Sequence, residues 1–254
     1  MKLLIINADD WGGFREGTDA IEKCFITGSI SSTTAMVHMA DSRRAAELAL
    51  ERQRPTGLHL NFTQPFDSSE TPIHVRERQR RLCDYFANLR RRRWWLSPDP
   101  RIHRLVADGL CDQLDQYRER YGAEPTHIDS HHHVHVCPDV LWSKGFQLGM
   151  RVRQTLSPEP SKRNDLRHIP RRVKHELLAR RYITTSFFWQ PQEVASGFGT
   201  VPIAQAVDFA DECPVEIMVH PSFEKDRKLL HSDRWLEALS HAPLGSYAEL
   251  SAGL

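Results

Sequence analysis

The chain has 254 residues, of which 40% are hydrophobic and 26% are charged, and its formal net charge at pH 7 is +1. This length accommodates one α/β domain with a sizeable buried core, since α/β barrels reach it as a single unit. A net charge near zero argues against a polyanionic partner for the molecule as a whole. We therefore predict a single domain over residues 1–254, built on the (β/α)-barrel plan.

The cysteines and the start of the chain bear on its location. The five cysteines are odd in number and widely spaced, and none belongs to a C-x-x-C pair, so they indicate neither a disulfide framework nor a thiolate zinc site. The first apolar run is short and is followed by two aspartates, which is not the pattern of a secretory signal or a membrane span. We therefore expect a soluble protein of the reducing cytoplasm that has no membrane partner.

Apolar runs bounded by turn residues predict about seven strands, several of them separated by segments of helical periodicity. The clearest helices are residues 16–27, which end before Gly28, and residues 42–51. Alternating strands and helices form parallel βαβ units, and about seven such strands close, or nearly close, a barrel. The predicted strands are residues 3–7, 31–38, 57–62, 126–129, 150–152, 182–188 and 215–220.

The segment from about residue 66 to residue 100 departs from this alternation. It is too long for a βα loop and contains the arginine-rich stretch RERQRRLCDYFANLRRRRWW. Leu82, Tyr85, Phe86 and Leu89 recur at helical spacing, which predicts an amphipathic helix. We interpret this segment as an insertion beside the functional site.

Acidic and imidazole side chains occur where predicted strands end. Asp9 and Asp10 follow the first strand, His59 lies in the third, and His220 ends the last. The stretch THIDSHHHVH, residues 126–135, adds four histidines after the fourth strand. In a parallel barrel the carboxyl ends of the strands meet at one rim, so the pattern predicts a metal-dependent hydrolase. Taken singly, such a histidine also fits a hydrogen-bonded core residue, and an aspartate pair also fits a turn or a helix cap.

Two imidazoles and one carboxylate leave coordination positions open for water and substrate, which is typical of a catalytic metal site. Nitrogen ligands favour zinc, while magnesium and manganese stay open because selection in the cell also depends on geometry and availability. Two aspartates in tandem can divide the work, since one can bind the ion while its neighbour takes a proton from water.

Five motifs occur in a characteristic order: NADDWG (7–12), SSTTAMV (31–37), GLHLNFT (57–63), PTHIDSHHHVHVCP (125–138) and EIMVHP (216–221). Together they resemble the YdjC/ChbG-like carbohydrate deacetylase family. The resemblance implies a deformed α/β barrel, one divalent metal ion and a homodimer. It also implies a small-molecule substrate, because the family removes the N-acetyl group from an amino sugar, often that of a chito-oligosaccharide.

The same resemblance assigns roles position by position. Asp10, His59 and His131 would bind the metal ion, which the resemblance leaves as magnesium or zinc. Asp9 would be the general base, and His220 would protonate the departing amine.

Three further residues are candidates for supporting roles. Asp129 fits an acceptor that orients a metal-binding imidazole, and it fits a turn or capping acid equally well. Alternation along an extended segment would place His133 on the same face as His131, next to the site. Arg151, in the fifth predicted strand, is a candidate for binding a substrate hydroxyl or carboxylate, or is a surface arginine.

Other functions remain open from the sequence alone. The same metal centre could hydrolyse a phosphoester or a cyclic amide, because one fold supports many reactions. A non-catalytic, metal-dependent sugar-binding protein is a further alternative, although binding alone would not need the second acid of the Asp9–Asp10 pair. Arginines followed by Trp94 and Trp95 could grip a single strand of nucleic acid. A charge run is more often a solvated helix face, and we predict no nucleic-acid partner.

Overall fold

The computed structural model of the protein describes residues 1–87, 99–159, 169–196 and 198–251. Its strands form a sheet in the order β4-β3-β2-β1-β7-β5-β6. Pairing is parallel between β1 and β7, between β3 and β4, and between β5 and each of β6 and β7. The predicted fold class, α/β with about seven parallel strands in a deformed (β/α) barrel, is confirmed. The strands are β1 (Leu3–Trp11), β2 (Ser32–Ala35), β3 (Thr56–Leu60), β4 (Ile128–Ser130), β5 (Phe187–Pro191), β6 (Thr200–Val201) and β7 (Pro214–Val219).

Helices separate most of the strands, as the sequence pattern predicts. The first two, α1 (Arg15–Thr27) and α2 (Ser42–Glu51), match the predicted helices closely. Short 3₁₀ helices cover His131–Val136 and Tyr247–Glu249. The other α-helices in the described ranges are α3 (Ile73–Phe86), α4 (His103–Tyr121), α5 (Pro138–Leu141), α6 (Ile169–Arg181), α7 (Ile203–Ala210), α8 (Glu224–Leu230) and α9 (Asp233–Leu239).

The chain divides into two compact units. Unit 1 consists of Met1–Asp9, Asp19–Thr33 and Gly149–Leu254, and unit 2 consists of Asp10–Thr18 and Thr34–Leu148. The two consecutive aspartates of β1 therefore belong to different units, Asp9 to unit 1 and Asp10 to unit 2. The single domain over residues 1–254, with an insertion at about 66–100, stays a prediction.

One predicted strand is wrong and one observed strand was not predicted. Residues 150–152 form only an isolated bridge, in which Arg151 pairs in parallel with Ile183. The N–H of Val152 donates to the Ile183 carbonyl, and that of Ile183 to the Met150 carbonyl, both at 2.9 Å. Strand β6 has only two residues, which is too short for any periodicity to reveal.

Unit 1 is built around the pairing of β1 with β7. The register runs from Leu3 opposite Pro214 to Ala8 opposite Val219, and both strands are almost fully buried. Leu3 and Ile5 pack against Tyr247 and Leu250 of the C-terminal segment. The last described turn of the chain is thereby fixed to the first strand by apolar contact.

Unit 2 packs α3 and α4 together. Leu82 and Phe86 of α3 are buried, as the amphipathic pattern predicts, whereas Leu89 lies outside the described residues. Helix α4 approaches closely at Gly109, where an added Cβ would lie 2.6 Å from Cδ1 of Leu82. A side chain at Gly109 would therefore require the end of the Leu82 side chain to shift.

Along the described ranges, no helix is both long enough and apolar enough to span a membrane.

Candidate metal centre and the Asp9 network

In unit 2, three side chains predicted as metal ligands converge. The Oδ1 atom of Asp10 lies 3.2 Å from Nε2 of His59 and 3.1 Å from Nδ1 of His131. The candidate ligand atoms of the three residues all lie within 4.8 Å of one another. His59 is buried, and the other two are partly open to solvent.

A buried acid holds His59 from behind. Asp129 lies opposite His59 in the β3–β4 register, and its Oδ1 is 2.7 Å from Nδ1 of His59. The hydroxyl of Thr34 donates to the other carboxylate oxygen at 3.0 Å. With Nδ1 bonded to a carboxylate, the Nε2 atom of His59 is left as the nitrogen for a metal ion.

This donor set fits a divalent ion. It offers two imidazoles and one carboxylate, one imidazole is oriented by a buried acid, and two of the three ligands can be reached by water. Three protein ligands with open positions are the arrangement of a catalytic rather than a structural zinc site. Asp10, His59 and His131 thus lie close enough together to hold one ion, and their role as metal ligands stays a prediction.

The histidine cluster does not continue as an extended segment. Residues His131–Val136 form a 3₁₀ helix in which His132 and His133 have φ of 55° and 56°. The expected alternation of faces is therefore wrong, because it holds only for extended backbone. The ring of His133 faces that of His135, with the ring centroids 6.2 Å apart. A role for His133 beside the metal ligands stays a prediction.

The two remaining histidines of the cluster have other contacts. His132 is exposed, and its Nδ1 lies 3.0 Å from the hydroxyl of Thr63. His135 is fully buried, and its Nδ1 lies 2.7 Å from the hydroxyl of Ser130. Among the four histidines, the ligand group thus contains His131.

In unit 1, Asp9 belongs to a buried network of charges. Arg153 donates from Nη1 and Nη2 to the two carboxylate oxygens of Asp9, both at 2.7 Å, and from Nε to Oε1 of Glu216 at 2.8 Å. The hydroxyl of Tyr247 donates to the other oxygen of Glu216, and the amide of Asn7 donates to Oδ1 of Asp9 at 3.0 Å. All five residues are nearly or fully buried.

His220, the predicted proton donor, directly follows β7. Its Nε2 lies 3.9 Å from Oδ2 of Asp9, and its side chain is 26% exposed. Its backbone N–H donates to Oδ2 of Asp226 at 2.7 Å, which holds the turn after the strand. Burial raises the pKa of Asp226 above its ordinary value.

Arg151 contacts the C-terminal segment of unit 1. Its guanidinium donates from Nε to the carbonyl of Leu250 at 2.9 Å and from Nη2 to the carbonyl of Ala248 at 3.3 Å. Both of these contacts are with backbone carbonyls, and a role for Arg151 in binding the substrate stays a prediction. The arginine that reaches a site residue is Arg153, two positions further on.

Sequence reasoning missed Arg153, Glu216 and Tyr247. One signal was available in VEIMVH, where an acid stands between apolar residues in the middle of a predicted strand. A charged residue in a buried strand needs a partner of opposite charge, and Arg153 was a candidate. Nothing local in the sequence points to Tyr247.

This chain is similar to known proteins in both sequence and fold. A family model described as YdjC-like protein matches residues 3–246. Chitooligosaccharide deacetylases of Yersinia enterocolitica and Yersinia pestis are 33% and 34% identical to this chain over 143 residues, which are 55% of this chain and 53% of each relative. The chain thus spans about half the length of the curated relatives it matches.

A solved structure also covers nearly the whole chain. It is that of an Enterococcus faecalis V583 protein to which cellobiose-phosphate cleavage is provisionally assigned. The TM-score is 0.67 at 22% sequence identity, and the match covers 97% of both chains. At this identity the likeness concerns the fold.

Proposed function

Because this chain belongs to the YdjC-like protein family, we propose that it is a metal-dependent hydrolase that removes the N-acetyl group from an amino sugar or a chito-oligosaccharide. The observation that carries the proposal is the convergence of Asp10, His59 and His131 in unit 2. The name of the Yersinia relatives supports the choice of reaction. The substrate is accordingly a small N-acetylated sugar, not a nucleic acid.

We propose that Asp10, His59 and His131 hold one divalent ion, magnesium or zinc. Such an ion, when bound, polarises a carbonyl oxygen and lowers the pKa of a bound water. The two imidazoles favour zinc, and the exposure of Asp10 and His131 suits an ion that keeps water ligands. Asp129 orients His59 through the 2.7 Å contact at Nδ1.

Asp9 and His220 handle the protons in this proposal. The Asp9 carboxylate removes a proton from the attacking water, and His220 gives a proton from Nε2 to the nitrogen of the scissile amide. An amide expels a neutral amine far more easily than an amide anion, so the second transfer is required for the C–N bond to break. The Oδ2 atom of Asp9 and Nε2 of His220 lie 3.9 Å apart, so the proposed base and the proposed acid stand close together in unit 1.

Acetate release tests the reaction and its metal dependence together. The purified protein is analysed for bound metals, stripped with a chelator, and assayed on N-acetylated mono- and oligosaccharides with and without added zinc or magnesium. We expect acetate release that disappears on chelation and returns with the ion. Phosphate release from a model phosphoester, or sugar binding without any acetate release, would favour the alternatives instead.

We also propose a cytoplasmic location and a homodimer. The five cysteines are widely spaced in the sequence and none belongs to a C-x-x-C pair, which suits a reducing compartment. The homodimer rests on the family resemblance, and light scattering on the eluting peak of a size-exclusion column measures it.

A further inference from the structure

We propose that Arg153, Glu216 and Tyr247 form a positioning relay that fixes the orientation of the Asp9 carboxylate for its work as general base. The inference rests on the proposed function, in which Asp9 takes the proton from water. None of the three residues is itself a catalytic residue, since each acts on Asp9 directly or through a neighbour. The relay lies within unit 1.

The first step is the fork between Arg153 and Asp9. Two parallel N–H···O bonds of 2.7 Å engage both carboxylate oxygens, so the carboxylate cannot rotate about its Cβ–Cγ bond without breaking one of them. A lysine in the same place would keep the charge but would lose the paired geometry. The fork therefore supplies orientation as well as charge.

The second step is the contact between Arg153 and Glu216. The third guanidinium bond, 2.8 Å from Nε to Oε1 of Glu216, fixes the plane of the guanidinium and so the direction of the fork. Phe188 supports the same guanidinium, with its ring centroid 4.9 Å from Cζ. Glu216 lies inside β7, four residues before His220, so the strand that holds the relay also carries the proposed proton donor.

The third step is the hydroxyl of Tyr247. It donates to Oε2 of Glu216, the oxygen that Arg153 Nε does not use. Burial, and then the neighbouring Glu216 charge, raise the pKa of Tyr247 well above its ordinary value, so the phenol stays protonated and donates. Leu3, Ile5 and Leu250 pack around this side chain and fix its position.

A purely structural ion pair would not require this arrangement. Burying two carboxylates and one guanidinium costs free energy, and well-packed apolar residues often replace such groups without loss of stability. One member of the network, Asp9, directly precedes the proposed ligand Asp10 in the chain. The proposed function therefore gives the network a role beyond holding the fold.

Three substitutions test the relay at increasing distance from Asp9: Arg153→Lys, Glu216→Gln and Tyr247→Phe. We expect Arg153→Lys to lower kcat about 10- to 100-fold, as is typical for partners of functional groups, and Tyr247→Phe to lower it less, about 3- to 10-fold. KM and the bound-metal stoichiometry should stay as in the parent protein, because in this proposal the relay orients Asp9 and supplies neither a metal ligand nor a substrate contact.

A readout without turnover accompanies these assays. The Nε–H signal of Arg153 in the ¹H–¹⁵N spectrum should shift in Tyr247→Phe, because Arg153 Nε and the Tyr247 hydroxyl bind the two oxygens of one carboxylate, that of Glu216. The matched control is Arg44→Lys, because Arg44 grips Asp41 by the same kind of fork, with bonds of 2.8 and 2.6 Å. In this control kcat should not change.

The outcomes separate the relay from the proposed function. If the parent protein releases no acetate from any N-acetylated sugar, the proposed function fails, and the relay fails with it. If the parent is active and Arg153→Lys and Tyr247→Phe keep its kcat, only the relay is overturned. Loss of bound metal in Tyr247→Phe with unchanged thermal stability would also overturn it. If Arg153→Lys does not fold, Tyr247→Phe decides, since it removes a single oxygen.

Discussion

Two side chains of the candidate site, His59 and Asp9, are each oriented by a buried acid, but His59 contacts its acid directly and Asp9 does not. In unit 2, His59 meets Asp129 directly, and the register of β3 and β4 places the two residues side by side. In unit 1, Asp9 is held through Arg153, and the supporting acid Glu216 lies one residue further away. The imidazole of His59 binds its acid directly, whereas Arg153 stands between Asp9 and Glu216, because two ionised carboxylates in direct contact repel. The support of the proposed base is therefore one residue longer than that of the proposed metal ligand.

The largest effect should come from removing the ligand itself. His59→Ala deletes one of the two imidazoles, so bound metal and acetate release should both fall below detection. Elemental analysis of the purified variant measures the first, and an acetate assay the second. His132→Ala, which removes an exposed histidine of the same cluster, should keep the metal. A fully metal-loaded His59→Ala protein would contradict the assignment of this ligand.

Removing the base should separate metal binding from turnover. Asp9→Asn keeps the size of the side chain but loses its basicity, so we expect kcat to fall about 10²- to 10⁴-fold with the metal still bound. Single-turnover acetate release alongside metal analysis gives both quantities. Acetate release at the parental rate would show that another group takes the proton.

A matched pair of substitutions tests whether Asp129 and Glu216 support different groups. Asp129→Asn should weaken metal affinity about 10- to 100-fold, because the acceptor behind His59 loses its charge. Glu216→Gln is the same chemical change in the unit 1 network, and it should leave metal affinity unchanged. Calorimetric titration of the metal-free proteins measures both, and equal losses in the two variants would remove the distinction between the two supports.

The smallest expected effect on activity at neutral pH belongs to a prediction about folding stability. His38 in unit 2 is buried, with its ring 4.8 Å from that of Phe66 and its Nδ1 3.3 Å from the hydroxyl of Thr71. Burial lowers its pKa to about 4, below the value of 6.5 for the free side chain. At a pH between these two values, His38 is protonated in the unfolded chain and neutral in the folded one. The free energy of unfolding is therefore at its full value at pH 7 and falls as the pH drops from about 6.5 to 4.

The loss attributable to His38 should reach about 3 kcal/mol at pH 4, since each unit of pKa difference corresponds to about 1.4 kcal/mol. Urea unfolding of the parent protein and of His38→Gln over this range measures it, because the glutamine variant lacks this contribution while the carboxylates titrate in both. Parallel stability curves for the two proteins would rule it out.

The grouping of the three proposed metal ligands could be predicted because their signals are local. Asp10, His59 and His131 each stand in a short motif at the end of a predicted strand, and the ends of parallel strands meet. The α/β class followed from the alternation of strands and helices for the same reason. Such inferences need only the period of each segment and the direction of its strand.

The rest depends on distances between remote segments or on single torsion angles. Arg153 could have paired with many acids, and only the register of β7 with β1 brings Glu216 and Asp9 to it. The direction of the His133 side chain could not be predicted, because its φ of 56° departs from the extended backbone in which side chains alternate between two faces. The isolated bridge at Arg151 and the two-residue strand β6 are too short to show the apolar periodicity from which strands are predicted.

The backbone conformation at Asp10 limits which amino acids this position can accept. Its φ of 71° lies in the left-handed region, which is costly for most side chains and least costly for glycine, asparagine and aspartate. At the proposed metal site, glycine would relax the turn but would bring no side-chain oxygen, asparagine would bring an uncharged one, and glutamate would place its charge one methylene too far along a less tolerant backbone. Main-chain geometry and the proposed coordination thus restrict this position independently, and aspartate satisfies both.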